Sequence, residues 1–220
     1  MHCSLKVESP ALATVKRKRR NKSNDNQRSA HLEESISVKD ERVDEKKPGS
    51  EAMHAGWRQG PSPKQLSIEW TESVRQLFLE GTGEDYFIGS IQSLPVPEWE
   101  GNFMLFDSEE ASHQTMRGLL WTTPFQEETV RIVSFVLDAG ARGKGWGSLV
   151  WNMLVENMLP LSITQIQLEV RASNERAIAF YRERGLEIIQ ELHGYYRQGL
   201  GYMMRGPLRY HHPNNHTPKE

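Results

Sequence analysis

Residues 137–147 read LDAGARGKGWG, and the reading of this stretch decides the fold. It follows residues 130–136, VRIVSFV, a run apolar on both faces apart from Arg131 and Ser134. Such a run suits a central strand covered on both sides. After the glycines comes SLVWNMLVENM, where Leu149, Val150, Met153 and Leu154 recur at helical spacing. The order is therefore strand, glycine-rich turn, helix. Gly143, Gly145 and Gly147 let the backbone approach a ligand closely, and N–H groups at a helix N-terminus form a site for phosphate. Arg142 and Lys144 add positive charge. The bland alternative is a glycine-rich connection that only joins strand to helix.

Spacing excludes two common phosphate loops. A P-loop, GxxxxGK[ST], counted from Gly140, puts Trp146 where its lysine belongs. A dinucleotide fingerprint, GxGxxG, begins well with Gly143 and Gly145 but meets Ser148 at its third glycine. What remains is Arg-x-x-Gly-x-Gly, supplied by Arg142, Gly145 and Gly147.

A second informative stretch is residues 168–187, LEVRASNERAIAFYRERGLE. Residues 163–171 alternate as a strand, with Ile166, Leu168 and Val170 facing one way and Gln165, Gln167, Glu169 and Arg171 the other. A helix over 173–184 follows, capped by Ser173 or Asn174 and ended by Gly185.

Together the two stretches resemble the acetyl-CoA motifs of the GCN5-related N-acetyltransferases (GNAT). The second is similar, more narrowly, to the ribosomal-protein alanine N-acetyltransferases, and Gly194-Tyr195-Tyr196 resembles their paired-tyrosine segment. The resemblance spans roughly residues 103–208 and is strong over 130–187. It implies an α/β domain, with a mixed, mostly antiparallel sheet flanked by helices. It also implies transfer of acetyl from acetyl-CoA to an amine in a ternary complex, and the narrower likeness implies the N-terminal α-amine of a protein. Carried over by position, Glu169 matches the general base, Tyr181 the general acid, and Asn174 a contact to pantetheine. The backbone of Phe135, Val136 and Leu137 matches the strand that pairs with pantetheine. Arg142, Gly143, Lys144, Gly145, Trp146 and Gly147 match the pyrophosphate loop.

The residue types suit that chemistry. An attacking amine must lose a proton, which a carboxylate takes directly or through water. An α-amine, with a pKa of about 7.7–8.0, yields it more easily than a lysine near 10.4. A free backbone N–H near Leu137 could hold the tetrahedral oxyanion, and the Tyr181 phenol could protonate the departing thiolate. Each residue also has a structural reading: Glu169 as a surface partner of Arg171, Tyr181 as helix packing, Asn174 as a cap. Two departures from the family stand out. Residues 139–141, AGA, replace the usual Pro-x-Tyr, and residues 197–202, RQGLGY, lack an acidic pair. The other functions open to the chain are a lysine or small-amine acetyltransferase, and a non-catalytic acyl-CoA-binding module.

The remaining sequence bounds these expectations. The chain has 220 residues, 37% of them hydrophobic and 25% charged, with net charge −2. That suits one domain plus a tail. Residues 1–60 hold 13 lysines and arginines against 9 acids, leaving 14 against 20 for the rest. The acidic remainder could attract cationic peptides. Residues 1–63 have one aromatic, Trp57, and are expected to be a disordered charged tail. Within it Lys16 and Lys22 bound a basic cluster, KRKRRNK, which could be a nuclear address, a contact for nucleic acid or ribosome, or simply a solvated tail. The domain is expected over 64–210, opening with a helix on which Trp70, Val74, Leu77 and Phe78 share a face. Tyr86, Phe87 and Trp99 line a substrate groove or belong to the core. Residues 211–220 form a polar tail, whose His211, His212 and His216 are more simply solvated than metal-bound, so no metal is expected. The lone cysteine, Cys3, the absence of a long apolar run and the lack of a signal-peptide core point to a cytoplasmic protein with no membrane span.

Overall fold

The computed structural model describes residues 56–195 and 199–212. The basic cluster at 16–22, Cys3, Tyr196 and most of the C-terminal tail lie outside these residues. Among the described residues, seven strands form one sheet: β1 (Gly56–Gln59), β2 (Phe103–Phe106), β3 (Met116–Pro124), β4 (Thr129–Leu137), β5 (Gln165–Arg171), β6 (Glu187–Leu192) and β7 (Gly201–Pro207). Four α-helices accompany them: α1 (Ile68–Thr82), α2 (Ile88–Gln92), α3 (Trp146–Met158) and α4 (Glu175–Arg182). The strand order is β1-β2-β3-β4-β5-β7-β6, and every neighbouring pair is antiparallel except β4 and β5. The expected mixed, mostly antiparallel sheet with flanking helices is therefore the observed one.

Two apolar layers cover β4, which explains why its sequence looks apolar on both faces. Val130 and Ile132 join Val150, Trp151, Leu154 and Ile178 of α3 and α4 in one core. Val136 joins Val74, Leu77 and Phe78 of α1 in the other. The strand changes phase between them. Trp121 pairs with Ser134 and Thr122 with Ile132, so Val133 is an extra residue, a β-bulge. A bulge bends its strand and sharpens the twist. β4 and β5 pair in register only from Thr129–Gln165 to Ile132–Leu168. Beyond that point, among the described residues, β4 continues to Leu137 beside β3 alone, and β5 continues to Arg171 beside β7 alone.

Local signals mark several helix ends, although α4 is shorter than the expected 173–184, running from Glu175 to Arg182 with Glu183 as its C-cap. In α1, Val74, Leu77 and Phe78 are buried at helical spacing, and Gly83 stops the helix in the left-handed region at φ 74°. Its N–H donates to the Leu79 carbonyl at 2.9 Å. Asn174 caps α4, its side-chain oxygen accepting from the Ala177 N–H at 3.2 Å.

The domain boundary needs correction. Residues 56–59, assigned above to the tail, form β1 and pair with Phe103–Phe106. Trp57 is buried, and its indole N–H donates to the Trp146 carbonyl at 2.9 Å. Gly118 makes room for that ring; a Cβ there would meet Trp57 at 3.2 Å and Leu137 at 2.6 Å. A four-residue strand with a single large apolar side chain has no periodicity to announce it, so composition alone assigned it to the tail. The short α2, in a stretch broken by Pro95 and Pro97, was likewise illegible. Among the described residues, no helix is long and apolar enough to cross a membrane.

Trp57→Ala removes a buried indole and its hydrogen bond, a cost of about 3 kcal/mol. The expected result is a fall of roughly 10 °C in Tm. An unchanged Tm would mean that β1 contributes nothing to the sheet.

Candidate functional site

The opening between β4 and β5 is bordered at one end by the glycine loop. Gly143 and Gly145 adopt φ of 76° and 83°, a region that strains any residue with a side chain. Gly145 is the N-cap of α3, whose first turn holds no acidic residue. The first half of the loop is tied down. The Asp138 carboxylate accepts from the Ala141 N–H at 2.6 Å and lies 3.6 Å from Arg117. Arg142 turns back into the protein. Its Nε donates to the Leu137 carbonyl at 2.9 Å and its Nη2 to the Gly81 carbonyl of α1 at 3.2 Å. Arg142 is thus a clasp between α1, β4 and the loop, where the sequence suggested only a cation for the ligand. Lys144 is exposed on the loop. The sequence reading missed Arg176, whose guanidinium lies 3.8 Å from where a Gly143 Cβ would stand. Only tertiary packing brings α4 to that place.

Glu169 is the first residue of β5 past the last pair with β4. Its side chain is only 8% exposed. The bland alternative paired it with Arg171; its observed partner is Arg131 of β4. Arg131 donates to Glu169 Oε2 through Nη2 at 2.8 Å and Nε at 3.0 Å. Burial works against the Arg131 charge, but the Glu169 carboxylate and its hydrogen bonds prevail and hold the guanidinium above its ordinary pKa. A lone arginine in an apolar central strand was the signal for this pair. Arg171 instead pairs with Glu84, in the loop after α1. Tyr195 completes this side, its hydroxyl 3.5 Å from Arg131. The polar face of β5 thus looks out between two loops, one before α2 and one after β6.

Tyr181 lies in the apolar core with Ile178, beside the Phe180 ring at 5.3 Å. Burial pushes its phenol well above the usual range, so it stays protonated. Among the described residues its hydroxyl has no hydrogen-bond partner. Phe135 packs on Phe180 at 5.9 Å, and Phe135 and Leu137 are half-buried against the α3–α4 core. Of the three aromatics expected in a groove or core, Tyr86 packs edge-on to Phe78 and Trp99 donates to the Thr122 carbonyl, while Phe87 is 72% exposed. Among the described residues, no three His, Cys, Asp or Glu side chains converge on a common point.

Residues 50–186 match the acetyltransferase (GNAT) family. Among curated protein sequences, none matches the chain. The fold is shared with Ard1 from Thermoplasma volcanium, at 22% identity and TM-score 0.57, over 70% of this chain and 97% of that one. It is shared too with the ribosomal-protein-S18-alanine N-acetyltransferase from Escherichia coli, at 18% identity and TM-score 0.55, over 73% and 97%. A chain of the NatC complex bound to Gag peptide and CoA aligns at 18% identity and TM-score 0.57, over 71% and 100%.

Arg142→Met leaves two carbonyls without their charged donor. The expected loss is about 1–2 kcal/mol, with faster amide exchange over residues 138–145. Exchange indistinguishable from the parent would dismiss the clasp.

Proposed function

Because the chain belongs to the GNAT family of acetyltransferases, we propose that it uses acetyl-CoA to acetylate the N-terminal α-amine of a protein or peptide. The observation that carries this reading is a buried carboxylate, Glu169, at the point where β4 and β5 part, with an anion-ready helix N-terminus bordering the same opening.

The residues fit acetyl-CoA by their chemistry. The loop from Arg142 to Gly147 offers backbone N–H groups at the start of α3 for the pyrophosphate, with Lys144 beside them. The β5-facing edge of β4 at residues 135–137, which has no paired strand among the described residues, suits an extended amide-bearing arm such as pantetheine. Asn174 already caps α4 through its side-chain oxygen, so only its amide nitrogen remains for the cofactor.

On the acceptor side, Glu169 takes the proton from the attacking nitrogen, directly or through a water. Arg131 occupies Oε2, which leaves Oε1 for the acceptor. A backbone N–H near Leu137 would receive the oxyanion of the tetrahedral intermediate. Tyr181, kept protonated by burial, would return a proton to the thiolate as the C–S bond breaks. Both carboxylates on this side are paired, Glu169 with Arg131 and Glu84 with Arg171. A site so neutralised does not concentrate polycationic small amines, which supports a peptide acceptor. The low pKa of an α-amine, about 7.7–8.0 against 10.4 for lysine, supports it further.

The direct test is acetylation of a peptide library, with the modified nitrogen located by mass spectrometry. Modification confined to lysine Nζ, or to small amines, would overturn the α-amine reading. Glu169→Gln should lower turnover about 10²–10⁴-fold. Tyr181→Phe keeps the ring and should slow thiolate release while leaving Tm almost unchanged. Near-full turnover in both variants would remove these residues from the chemistry. Gly145→Glu should weaken acetyl-CoA binding well beyond Gly145→Ala, which bears the same φ strain without the charge.

A further inference from the structure

Arg184 is a charge that the mechanism above does not use. It is 2% exposed, directly after α4 and its C-cap Glu183. Its guanidinium lies over the Phe180 ring at 3.3 Å and 5.5 Å from the Trp151 ring. Nη1 donates to the Phe180 carbonyl and Nη2 to Ser148 Oγ, both at 2.7 Å. Nε has no partner among the described residues. The carboxylate paired with it is that of Glu183, 3.8 Å away on a side chain 65% exposed. Burial lowers its pKa to about 10, so it remains a cation at neutral pH.

Burying a cation costs several kcal/mol; here two hydrogen bonds and two aromatic rings offset that cost, while Nε stays unpaired among the described residues. Ser148 shows where the charge is directed. It is the third residue of α3, the turn that carries the free N–H groups. Its oxygen accepts from Arg184, so its own hydrogen is free to be donated elsewhere, and among the described residues nothing accepts it. The same turn has no acidic residue, follows Lys144, and lies next to the Gly143–Arg176 approach.

We propose that Arg184 is a positioning residue for the phosphate groups of the acyl-CoA, acting through Ser148. The buried guanidinium orients the Ser148 hydroxyl so that its hydrogen points to an anion on the α3 N-terminus. It also adds a fixed positive charge beneath that anion in a poorly solvated place, where it acts more strongly than in water. This rests on the acetyl-CoA reading above. It adds Ser148 as a direct side-chain donor and Arg184 as the group behind it.

Arg184→Met tests the proposal. It leaves the Phe180 carbonyl and Ser148 without their charged donor, so Tm should fall by a few degrees whatever the role of the residue, and the decision rests on Kd measured on folded protein. The Kd for acetyl-CoA, measured by calorimetry on the full chain, should rise about tenfold, the worth of one hydrogen bond to a charged group. KM for acetyl-CoA should rise more than kcat falls, and Arg184→Lys should recover part of the affinity. Ser148→Ala should lose a similar factor, and the double variant should lose little more, since the two groups act as one. A merely structural Arg184 would give a lower Tm with unchanged Kd, and the unchanged Kd would overturn the proposal. Losses that multiply in the double variant would break the link to Ser148. Should Arg184→Met fail to fold, full affinity in Ser148→Ala would overturn the proposal by itself. A parent chain that binds no acetyl-CoA would bring down the function reading as well.

Discussion

Four residue pairs join β4 to β5, and then the two strands part. The site depends on that parting. Val133 is the physical device, an extra residue that bends β4 and shifts its side-chain phase by one. Before it, Val130 and Ile132 pack on α3 and α4; after it, Phe135 and Leu137 do. A regular strand would have kept its partner and left no space. Glu169 stands where the strands separate, the glycine loop follows the far end of β4, and α4 begins just after β5. Each proposed group is therefore placed by backbone geometry before any side chain is chosen.

The charges are organised by arginines turned inward. Arg142 ties the glycine loop to α1, Arg171 ties the loop after α1 to β5, and Arg131 holds the proposed base. A guanidinium suits these places because its planar fork meets several oxygens at once and stays charged when partly buried. The net acidity of the domain says little about its site, since the carboxylates nearest the opening are already matched. That moderates the expectation, drawn from charge counting, that the acidic domain draws in cationic substrates.

The sequence made some of this legible and hid the rest for definite reasons. The glycine loop, β5 and α4 were readable because φ constraints, strand alternation and helix capping leave local traces. Gly143 and Gly145 do adopt positive φ, and Asn174 does cap α4. The Arg131 partner of Glu169 was not legible, because sequence proximity suggests only Arg171, whereas pairing across the parallel strands delivers Arg131. Arg142 was read as a ligand cation because its two carbonyl acceptors, Leu137 and Gly81, are distant from each other in sequence. Trp57 was assigned to the tail because burial of one aromatic in a four-residue edge strand is decided entirely by its neighbours.

The short β4–β5 register has a consequence for how the chain assembles. β2, β3 and β4 are sequential antiparallel neighbours, and β6 and β7 form another such pair, so each group closes short loops. β5 lies beside β7, and the parallel joint between β4 and β5 must span the whole of α3 and is secured by only four residue pairs. Non-local parallel pairing is the slow part of such topologies. The two half-sheets are expected to form first and the joint last. Substitutions at Ile132 or Leu168 would then speed unfolding while scarcely slowing folding, and φ-values near unity there would contradict this order.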